Sequence, residues 1–504
     1  MYASVYLSVR LFVFPSDRVA QVVSEWDANF VKEMELDIVV EVLLAANFLH
    51  IESLLDLCCL KLACMTREKR PKELKKLFKL EEVPSETGAS FGPETDDTHT
   101  TASTTTLGIC SREKALGIFL HKLDLSKQMS ALVSSEDSFG LAWLGLYLIR
   151  KQERLGPNAF CLDSPVRSID VSGLHKICDT EELFEFLPLL PASVEEMKLG
   201  EHSGVGVEGC MESLGRRLES LDQLKKLSLE VYGWNDESAK QIFSSLPASL
   251  EQLELRGNHD IGSDGWKSLD ERLKGLKLLK KLNLAHCHVT DEGAKEIFSS
   301  LPALLEELEI QNNMHIGMDG WRSLGERLKS LDRLKTLDLS CCDLNDESAI
   351  QIFPSFPAAL EKLDLYDNMH IGMDGWRSLG ERLKSLDLLK TLDLSCCNLT
   401  NESAGHLFPS LSVTLEELHL YDNWEIGFQG WASLCRRLEN LDQLKKLNLE
   451  RCNLTNESAG HLFPLLPASL EELDFSYGLN HIDSFLVTNL RRQQPNLTII
   501  QSEI

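Results

Sequence analysis

An internal repeat of 55 residues constrains this chain more than any other feature of its sequence. Asparagine, tryptophan and cysteine recur at that interval, at Asn258, Asn313, Asn368 and Asn423, at Trp266, Trp321, Trp376 and Trp431, and at Cys287, Cys342, Cys397 and Cys452. Each unit has two halves, because the central leucine of an LxL pattern recurs in steps of 29 and 26 residues, as at Leu253, Leu282 and Leu308. Such units stack in sequence order, since one unit cannot bury its apolar face alone.

Each half-unit predicts a strand, a turn and a helix. The alternating leucines of LxxLxL place their side chains on one face of a short strand. The Asn or Cys that follows is predicted to bond backbone groups freed by the turn. Polar residues then begin a helix, as in Thr290-Asp291-Glu292 and Asn345-Asp346-Glu347, where a capping side chain and acids suit the helix dipole. The repeated tryptophans follow helical spacing with leucine, so we expect them in the core.

This alternation resembles the leucine-rich repeat family, and within it the ribonuclease-inhibitor-like subclass, over about residues 165–500. That subclass also alternates two helical repeats with Asn or Cys at the turn, although its two lengths are more nearly equal. The resemblance implies an α/β fold, a leucine-rich repeat solenoid in the form of a horseshoe. Its parallel sheet would lie inside and its helices outside, with about 12 repeats over 161–504.

The resemblance also places a partner surface on the concave sheet. The residue between the two apolar positions of each strand would face it, and six of these nine residues are acids. The candidate contacts on this face are Glu254, Glu309, Asp338, Asp364, Tyr366, Asp393, His419, Tyr421 and Asp474. One interpretation is an acidic strip for a basic protein, with the tyrosines and Trp424 as anchors. The other is that similar units simply repeat a soluble strand residue.

Residues 26–80 predict three short helices with apolar faces, the third beginning at Pro71. They contain Trp26-Asp27 with Phe30, Leu44-Ala45-Ala46-Asn47-Phe48-Leu49, Ile51 with Leu54-Leu55-Asp56, Cys59, Ala63, Met65, and Pro71 with Glu73 and Phe78. This stretch resembles the dimerisation domain of the S-phase-kinase-associated (Skp) adaptors of cullin-based ubiquitin ligases. The resemblance implies a small all-α domain that grips an F-box through Asn47, Phe48, Leu54, Leu55, Cys59, Met65 and Phe78.

The two resemblances and the composition along the chain together predict four segments. Residues 1–83 form the Skp-like domain, with a truncated BTB/POZ part because 25 residues precede Trp26, and 84–111 form a Ser/Thr-rich flexible linker. Residues 112–160 are expected to form a helical cap of the solenoid, and 161–504 the repeats. An alternative for 112–155 is a divergent F-box, from Ile118-Phe119, Leu123-Asp124 and Val133-Ser134.

Several function classes are disfavoured by charge and motif content. Lysine and arginine number 51 against 78 acids, and the net charge of −27 argues against nucleic acid or an anionic membrane as the partner. The longest apolar run, Phe139 to Ile149, is short of the roughly 20 residues that span a membrane. The sequence contains no paired CxxC, Gly-rich phosphate loop or GxSxG, so we expect no metal, no cofactor and no enzyme activity.

The expected function is therefore protein binding inside the cell. Several of the fourteen cysteines follow the repeat, which favours buried thiols in a reducing cytoplasmic or nuclear compartment. The leading hypothesis is a non-enzymatic adaptor of a Skp-cullin-F-box type ubiquitin ligase. It would bind an F-box protein and cullin through 26–80 and recognise a substrate through the repeats. The alternative is a scaffold or inhibitor of the ribonuclease-inhibitor type with a vestigial Skp-like segment.

Overall fold

The computed structural model describes residues 34–48, 52–66, 69–80, 116–117, 119–120, 139–155, 166–170, 186–200, 210–230, 234–476 and 482–501. The chain divides into two compact units, Met1–Leu224 and Lys225–Ile504. The predicted linker at 84–111 lies outside the described residues, as do Trp26 and Phe30 of the Skp-like motif and more than half of the expected cap at 112–160. The four-segment division of the chain stays a prediction.

The first unit is mainly helical in its described part. Its elements are α1 (Leu36–Phe48), α2 (Glu52–Thr66), α3 (Pro71–Phe78), α4 (Phe139–Leu155), β1 (Ser168–Asp170), a 3-10 turn (Leu187–Leu189), β2 (Glu196–Leu199) and α5 (Cys210–Glu219). Helix α1 packs on α2, and α3 packs on α4. Helix α3 begins at the predicted proline, where the Glu73 carboxylate accepts the backbone N–H of Arg70 at 2.9 Å. Strands β1 and β2 are parallel.

The second unit is a regular array of strands and helices. Its strands are β3 (Lys226–Leu229), β4 (Gln252–Glu254), β5 (Lys281–Asn283), β6 (Glu307–Glu309), β7 (Thr336–Asp338), β8 (Lys362–Asp364), β9 (Thr391–Asp393), β10 (Glu417–His419), β11 (Lys446–Asn448), β12 (Glu472–Asp474) and β13 (Thr498–Ile500). Its helices are α6 (Asp236–Ser244), α7 (Ser263–Leu273), α8 (Asp291–Ser299), α9 (Met318–Leu328), α10 (Asp346–Ile352), α11 (Met373–Leu383), α12 (Asn401–Leu407), α13 (Phe428–Leu438), α14 (Asn456–Leu462) and α15 (Ser484–Gln493).

Strands β3 to β13 pair in sequence order and in parallel. The predicted LxL leucines are partners across the sheet, as Leu253 with Leu282 and Leu282 with Leu308. This confirms the repeat frame and the leucine-rich α/β solenoid. Strand β13 is an addition, because its sequence Thr-Ile-Ile lacks the LxL pattern that marked the others.

Buried asparagines and cysteines hold the turns between strands and helices. The Asn368 amide donates to the carbonyl oxygens of Leu339 and Leu365, both at 2.9 Å, and its oxygen accepts the N–H of Leu344 at 3.0 Å. Asn313 and Asn423 repeat all three bonds. In the other half-unit the Cys342 thiol contacts the Ile310 carbonyl at 3.3 Å. The predicted structural role of both ladders is confirmed.

The first residue of one helix caps the first turn of the helix in the next half-unit. Asp346, the first residue of α10, accepts the N–H of Gly375 in the first turn of α11 at 2.7 Å. Asp291 does the same for Gly320, and Asn401 for Gly430. The four repeat tryptophans are buried, as predicted. An arginine in the last turn of each tryptophan-bearing helix, such as Arg382 in α11, donates to a carbonyl of the preceding half-unit.

Candidate partner-binding surfaces

The strand register aligns the predicted concave-face residues in one row. The residues that are partners in register on neighbouring strands are Glu254, Asn283, Glu309, Asp338, Asp364, Asp393, His419, Asn448 and Asp474. We call this row the strand column. Four acids are consecutive in it, Glu309 to Asp393, whereas Glu254 is separated from them by Asn283 and Asp474 by His419 and Asn448. The acidic strip therefore has a dense centre and single acids towards its ends.

A backbone requirement explains part of this composition. The Asp393 carboxylate accepts the N–H of Ser395 at 2.8 Å, and Asp364 accepts that of Tyr366 at 3.1 Å. Asn448 does the same for Glu450 at 2.9 Å. A side-chain oxygen at the strand end thus satisfies a backbone donor two residues on, which Asp and Asn do equally well. The turn needs this oxygen and does not need the negative charge, so the charge remains available for recognition.

The centre of the strand column is electrostatically strained. Burial, followed by the adjacent carboxylates of Asp338 and Asp393, raises the pKa of Asp364 to about 7. Glu309 is in a different situation, because Lys281 lies 3.0 Å from its carboxylate and Asn283 also donates to it. The negative potential is therefore concentrated on the three aspartates, where a cation from a partner would relieve repulsion.

Aromatic residues border these aspartates. Tyr366 is exposed beside Asp364, and Trp424 is 53% exposed. Tyr421 is already in contact with a cation, since Arg451 lies 5.8 Å from its ring centre and donates to its hydroxyl at 3.3 Å. This contact within the chain shows the kind of cation–aromatic pairing that the surface accommodates. His419, also a candidate, lies 3.7 Å from Glu417.

Two exposed methionines extend the aromatic border and were missed in the sequence. Met314 and Met369 are 54% and 49% exposed, and each follows a buried asparagine as Trp424 does. Their signal was the 55-residue interval that they share with Trp424. Both residues lie after the strand, so the LxL pattern does not mark them. We call Met314, Met369 and Trp424 the apolar edge.

The adjacent cysteines are poor candidates for redox chemistry. Burial raises the pKa of Cys342 to about 12, and burial with nearby aspartates raises the pKa of Cys341 to about 12. The pKa of Cys396 is raised to about 11, also first by burial. Reactive thiols need a lowered pKa, so the pairs Cys341-Cys342 and Cys396-Cys397 are better explained as part of the repeat core.

The Skp-like helices place the seven F-box candidates in different environments. Leu55, Cys59 and Phe78 are buried within the described helices, where they stabilise the domain itself. Asn47 is exposed at the end of α1, and Met65 is half-buried near the end of α2. The side chains of Phe48 and Leu54 lie outside the described residues. Asn47 and Met65 are thus the described candidates with surface available to a partner.

No group of three or more His, Cys, Asp or Glu side chains within the described part of the chain is arranged to hold a metal ion. None of its helices combines the length and the apolar character that crossing a membrane requires.

Comparison with known families identifies both parts of the chain. The dimerisation domain of the Skp1 family matches residues 52–86, and a leucine-rich repeat family matches 276–298, 334–353 and 383–407. The first match covers α2 and α3 and extends beyond the predicted end at residue 80. Both families are of adaptor and scaffold type.

The similar proteins fall into two groups, each of which matches one of these two parts of the chain. A ribonuclease inhibitor from Sus scrofa is 33% identical over 276 residues, 51% of this chain and 59% of the inhibitor. SKP1-like protein 15 from Arabidopsis thaliana is 37% identical over 65 residues, 13% of this chain and 37% of that protein. The chain thus spans less than two thirds of either relative.

Among solved structures, the yeast Rad7 and Elc1 complex overlaps with a TM-score of 0.42 at 17% identity, covering 80% of this chain and 98% of that one. An overlap at this level supports no conclusion about function. The two family matches are specific to their own parts of the sequence. The chain therefore joins a Skp1-family dimerisation-domain segment to leucine-rich repeats similar to those of ribonuclease inhibitors.

Proposed function

We propose that this chain is a substrate-recognition adaptor of a Skp-cullin-F-box type ubiquitin ligase in the cytoplasm or nucleus. The observation that carries the proposal is the presence of a Skp1-family segment and a leucine-rich repeat array in one chain. The helical segment binds an F-box protein and cullin, and the repeats bind the protein to be degraded. No catalytic step is assigned to the chain, because both parts act by holding partners.

The repeat surface recognises a basic protein through the strand column. Asp338, Asp364 and Asp393 provide adjacent negative charge, and Tyr366 provides an exposed aromatic ring beside them. Lysine or arginine side chains of the partner would neutralise the aspartates and pack on the ring. Glu254, Glu309, His419, Tyr421 and Asp474 are secondary contacts, because neighbouring residues of the chain already engage several of them.

Affinity purification of the full-length chain tests the ligase assignment. We expect F-box proteins and cullin to co-purify with the wild type and to be lost with the double variant Asn47→Arg, Met65→Glu, which alters the accessible candidates. Glu41→Gln is the matched control, since Glu41 is exposed on α1 and is not a candidate. Reproducible absence of both protein classes from the wild-type sample would remove the ubiquitin function.

The second candidate function is a scaffold or inhibitor of the ribonuclease-inhibitor type. The 33% identity with the Sus scrofa inhibitor over 276 residues favours it specifically. A purified basic ribonuclease is the direct probe. Inhibition by the wild type that is lost in the triple variant Asp338→Asn, Asp364→Asn, Asp393→Asn, without any F-box protein in the affinity sample, would favour this function over the first.

A further inference from the structure

The last full repeat unit differs from the others on its helical side. A groove of about 690 Å³ lies there between α12 and α13. It is lined by Gly405 and Pro409 on one side and by Phe428, Ala432, Ser433 and Arg436 on the other. The equivalent groove one unit earlier, along α11, has a volume of about 460 Å³. Since the repeats are nearly identical elsewhere, each earlier unit is an internal reference for this one.

Ion pairs within the earlier units occupy the corresponding positions. Asp374 pairs with Arg377 at 2.6 Å, and Glu381 pairs with Lys384 at 2.7 Å. One unit before that, Asp319 pairs with Arg322 at 2.7 Å. In these pairs, charges on the surface of α9 and α11 are neutralised by neighbours on the same helix or directly after it.

Helix α13 lacks these pairs, and the two charges of the second pair are exchanged in the sequence. Gln429 stands where the preceding unit has Asp374, Ala432 where it has Arg377, Arg436 where it has Glu381, and Glu439 where it has Lys384. Arg436 is exposed, and within the described chain its guanidinium contacts only the carbonyl of Ala432, at 3.3 Å. This helix face therefore presents an arginine, in place of an acid, that forms no ion pair with a carboxylate of the described residues.

The floor of the groove is also open. Gly405 replaces Ile350 of the preceding unit, and a side-chain carbon built at Gly405 meets no atom within 4 Å. Ser433 is 2% exposed and lines the groove. Its hydroxyl forms no hydrogen bond among the residues that the structure describes; the same holds for the equivalent Ser378, whereas Ser323 donates to the Lys295 carbonyl at 2.8 Å. Phe428, 40% exposed, adds an apolar wall at the other end.

We infer that this groove binds an acidic peptide segment of a partner protein. Arg436 takes a carboxylate in a charge-assisted pair, the Ser433 hydroxyl donates to the peptide, and an apolar side chain packs between Phe428 and Gly405. From Phe428 to Asn440 the helix axis covers roughly 18 Å, the length of about five or six extended residues. The groove is built from helices, so its occupant is distinct from a basic protein bound to the strand column.

Fluorescence anisotropy with the full-length chain tests this site. The probe is a fluorescein-labelled decapeptide in which glutamate alternates with leucine, and the comparison peptide has glutamine in place of glutamate. We expect saturable binding of the glutamate peptide, at least about ten-fold tighter than that of the glutamine peptide. Arg436→Glu and Gly405→Ile should each weaken it about ten-fold or more, by removing the charge and by filling the floor.

Both substitutions restore residues found at the same positions of earlier units, so the fold tolerates them. Lys329→Glu is the matched control, because it makes the same charge change at an exposed position where the last unit has Glu439. We expect it to alter binding less than about two-fold. Failure of the glutamate peptide to saturate the wild type, or wild-type affinity in both Arg436→Glu and Gly405→Ile, would overturn the inference and leave the proposed ligase function untouched.

Discussion

Asn368 shows how much one buried side chain contributes to a stacked repeat. It is fully buried and satisfies three backbone groups, the carbonyls of Leu339 and Leu365 and the N–H of Leu344. Each unsatisfied buried group costs about 1–3 kcal/mol. Asn368→Ala should therefore lower the free energy of unfolding by at least about 3 kcal/mol, measured by urea denaturation. The exposed Asn440→Ala is the control, with a change within about 0.5 kcal/mol; equal effects would refute the structural role of the ladder.

The raised pKa of Asp364 predicts that the free energy of unfolding depends on pH. Its folded-state pKa, raised to about 7, exceeds the ordinary value of an unfolded aspartate. The stability associated with its protonated form is fully present below pH 4 and is lost as pH rises through 7. Asp364→Asn keeps the turn oxygen, so it should be more stable than wild type at pH 8, by on the order of 1 kcal/mol.

Urea midpoints of both proteins at about pH 4 and about pH 8 measure this difference. The advantage of Asp364→Asn should become small at the lower pH, where Asp364 is protonated in the folded state and about half protonated in the unfolded state. Asp474→Asn is the matched control, because its partners across the sheet, Asn448 and Ile500, are uncharged. A pH-independent effect of Asp364→Asn would mean that neither burial nor repulsion among the aspartates raises the pKa of Asp364.

At the scale of the element, the helices depend on caps from the preceding half-unit. Asp346→Ala removes the acceptor for Gly375 and should cost about 1 kcal/mol of stability. Asp346→Asn should be close to wild type, because Asn401 fulfils this role one unit later. Thermal unfolding of the three proteins measures the effect. An alanine variant as stable as wild type would show that the contact contributes nothing.

Two glycine substitutions test how closely these elements pack. A side-chain carbon at Gly375 would lie 2.7 Å from Ile371 and 2.9 Å from Ala349, whereas one at Gly405 meets nothing within 4 Å. Gly375→Ala should therefore destabilise the protein, and Gly405→Ala should stabilise it by up to about 1 kcal/mol through helix propensity. If both variants shift the urea midpoint in the same direction relative to wild type, the packing described for α11 is contradicted.

The elements differ in how far sequence could predict them. Strands and their register follow from LxL, because alternation and a fixed interval are visible in a single chain. The cap on Gly375 is not visible, since its acceptor is 29 residues away on another helix. The F-box candidates were ambiguous for a related reason. Helix α3 is covered by α4, which begins 61 residues after Phe78, so helical spacing alone could not show that Phe78 is buried.

At the scale of the whole repeat array, the net charge predicted that a partner surface is acidic but did not predict where on the array it lies. The strand column follows from the repeat, and the structure adds that its turn bonds would equally accept asparagine. The apolar edge follows the same 55-residue interval but lies outside the strands, so its exposure was visible only in the structure. The α12–α13 groove depends on departures from the repeat and on packing between units, which a consensus of the repeats averages away.

The two proposed surfaces of the repeat array should respond to salt in opposite ways. With a net charge of −27, the long-range field attracts a basic protein and repels an acidic peptide, and salt screens both effects. Raising the salt from about 50 mM to about 500 mM should slow association of a basic ribonuclease with the strand column. The same change should accelerate association of the glutamate–leucine peptide with the α12–α13 groove while its dissociation also quickens, because the local pair with Arg436 weakens. Stopped-flow association rates distinguish these outcomes. If both association rates change in the same direction with salt, the two ligands bind one surface. Two separate surfaces predict that the rate falls for the basic protein and rises for the acidic peptide.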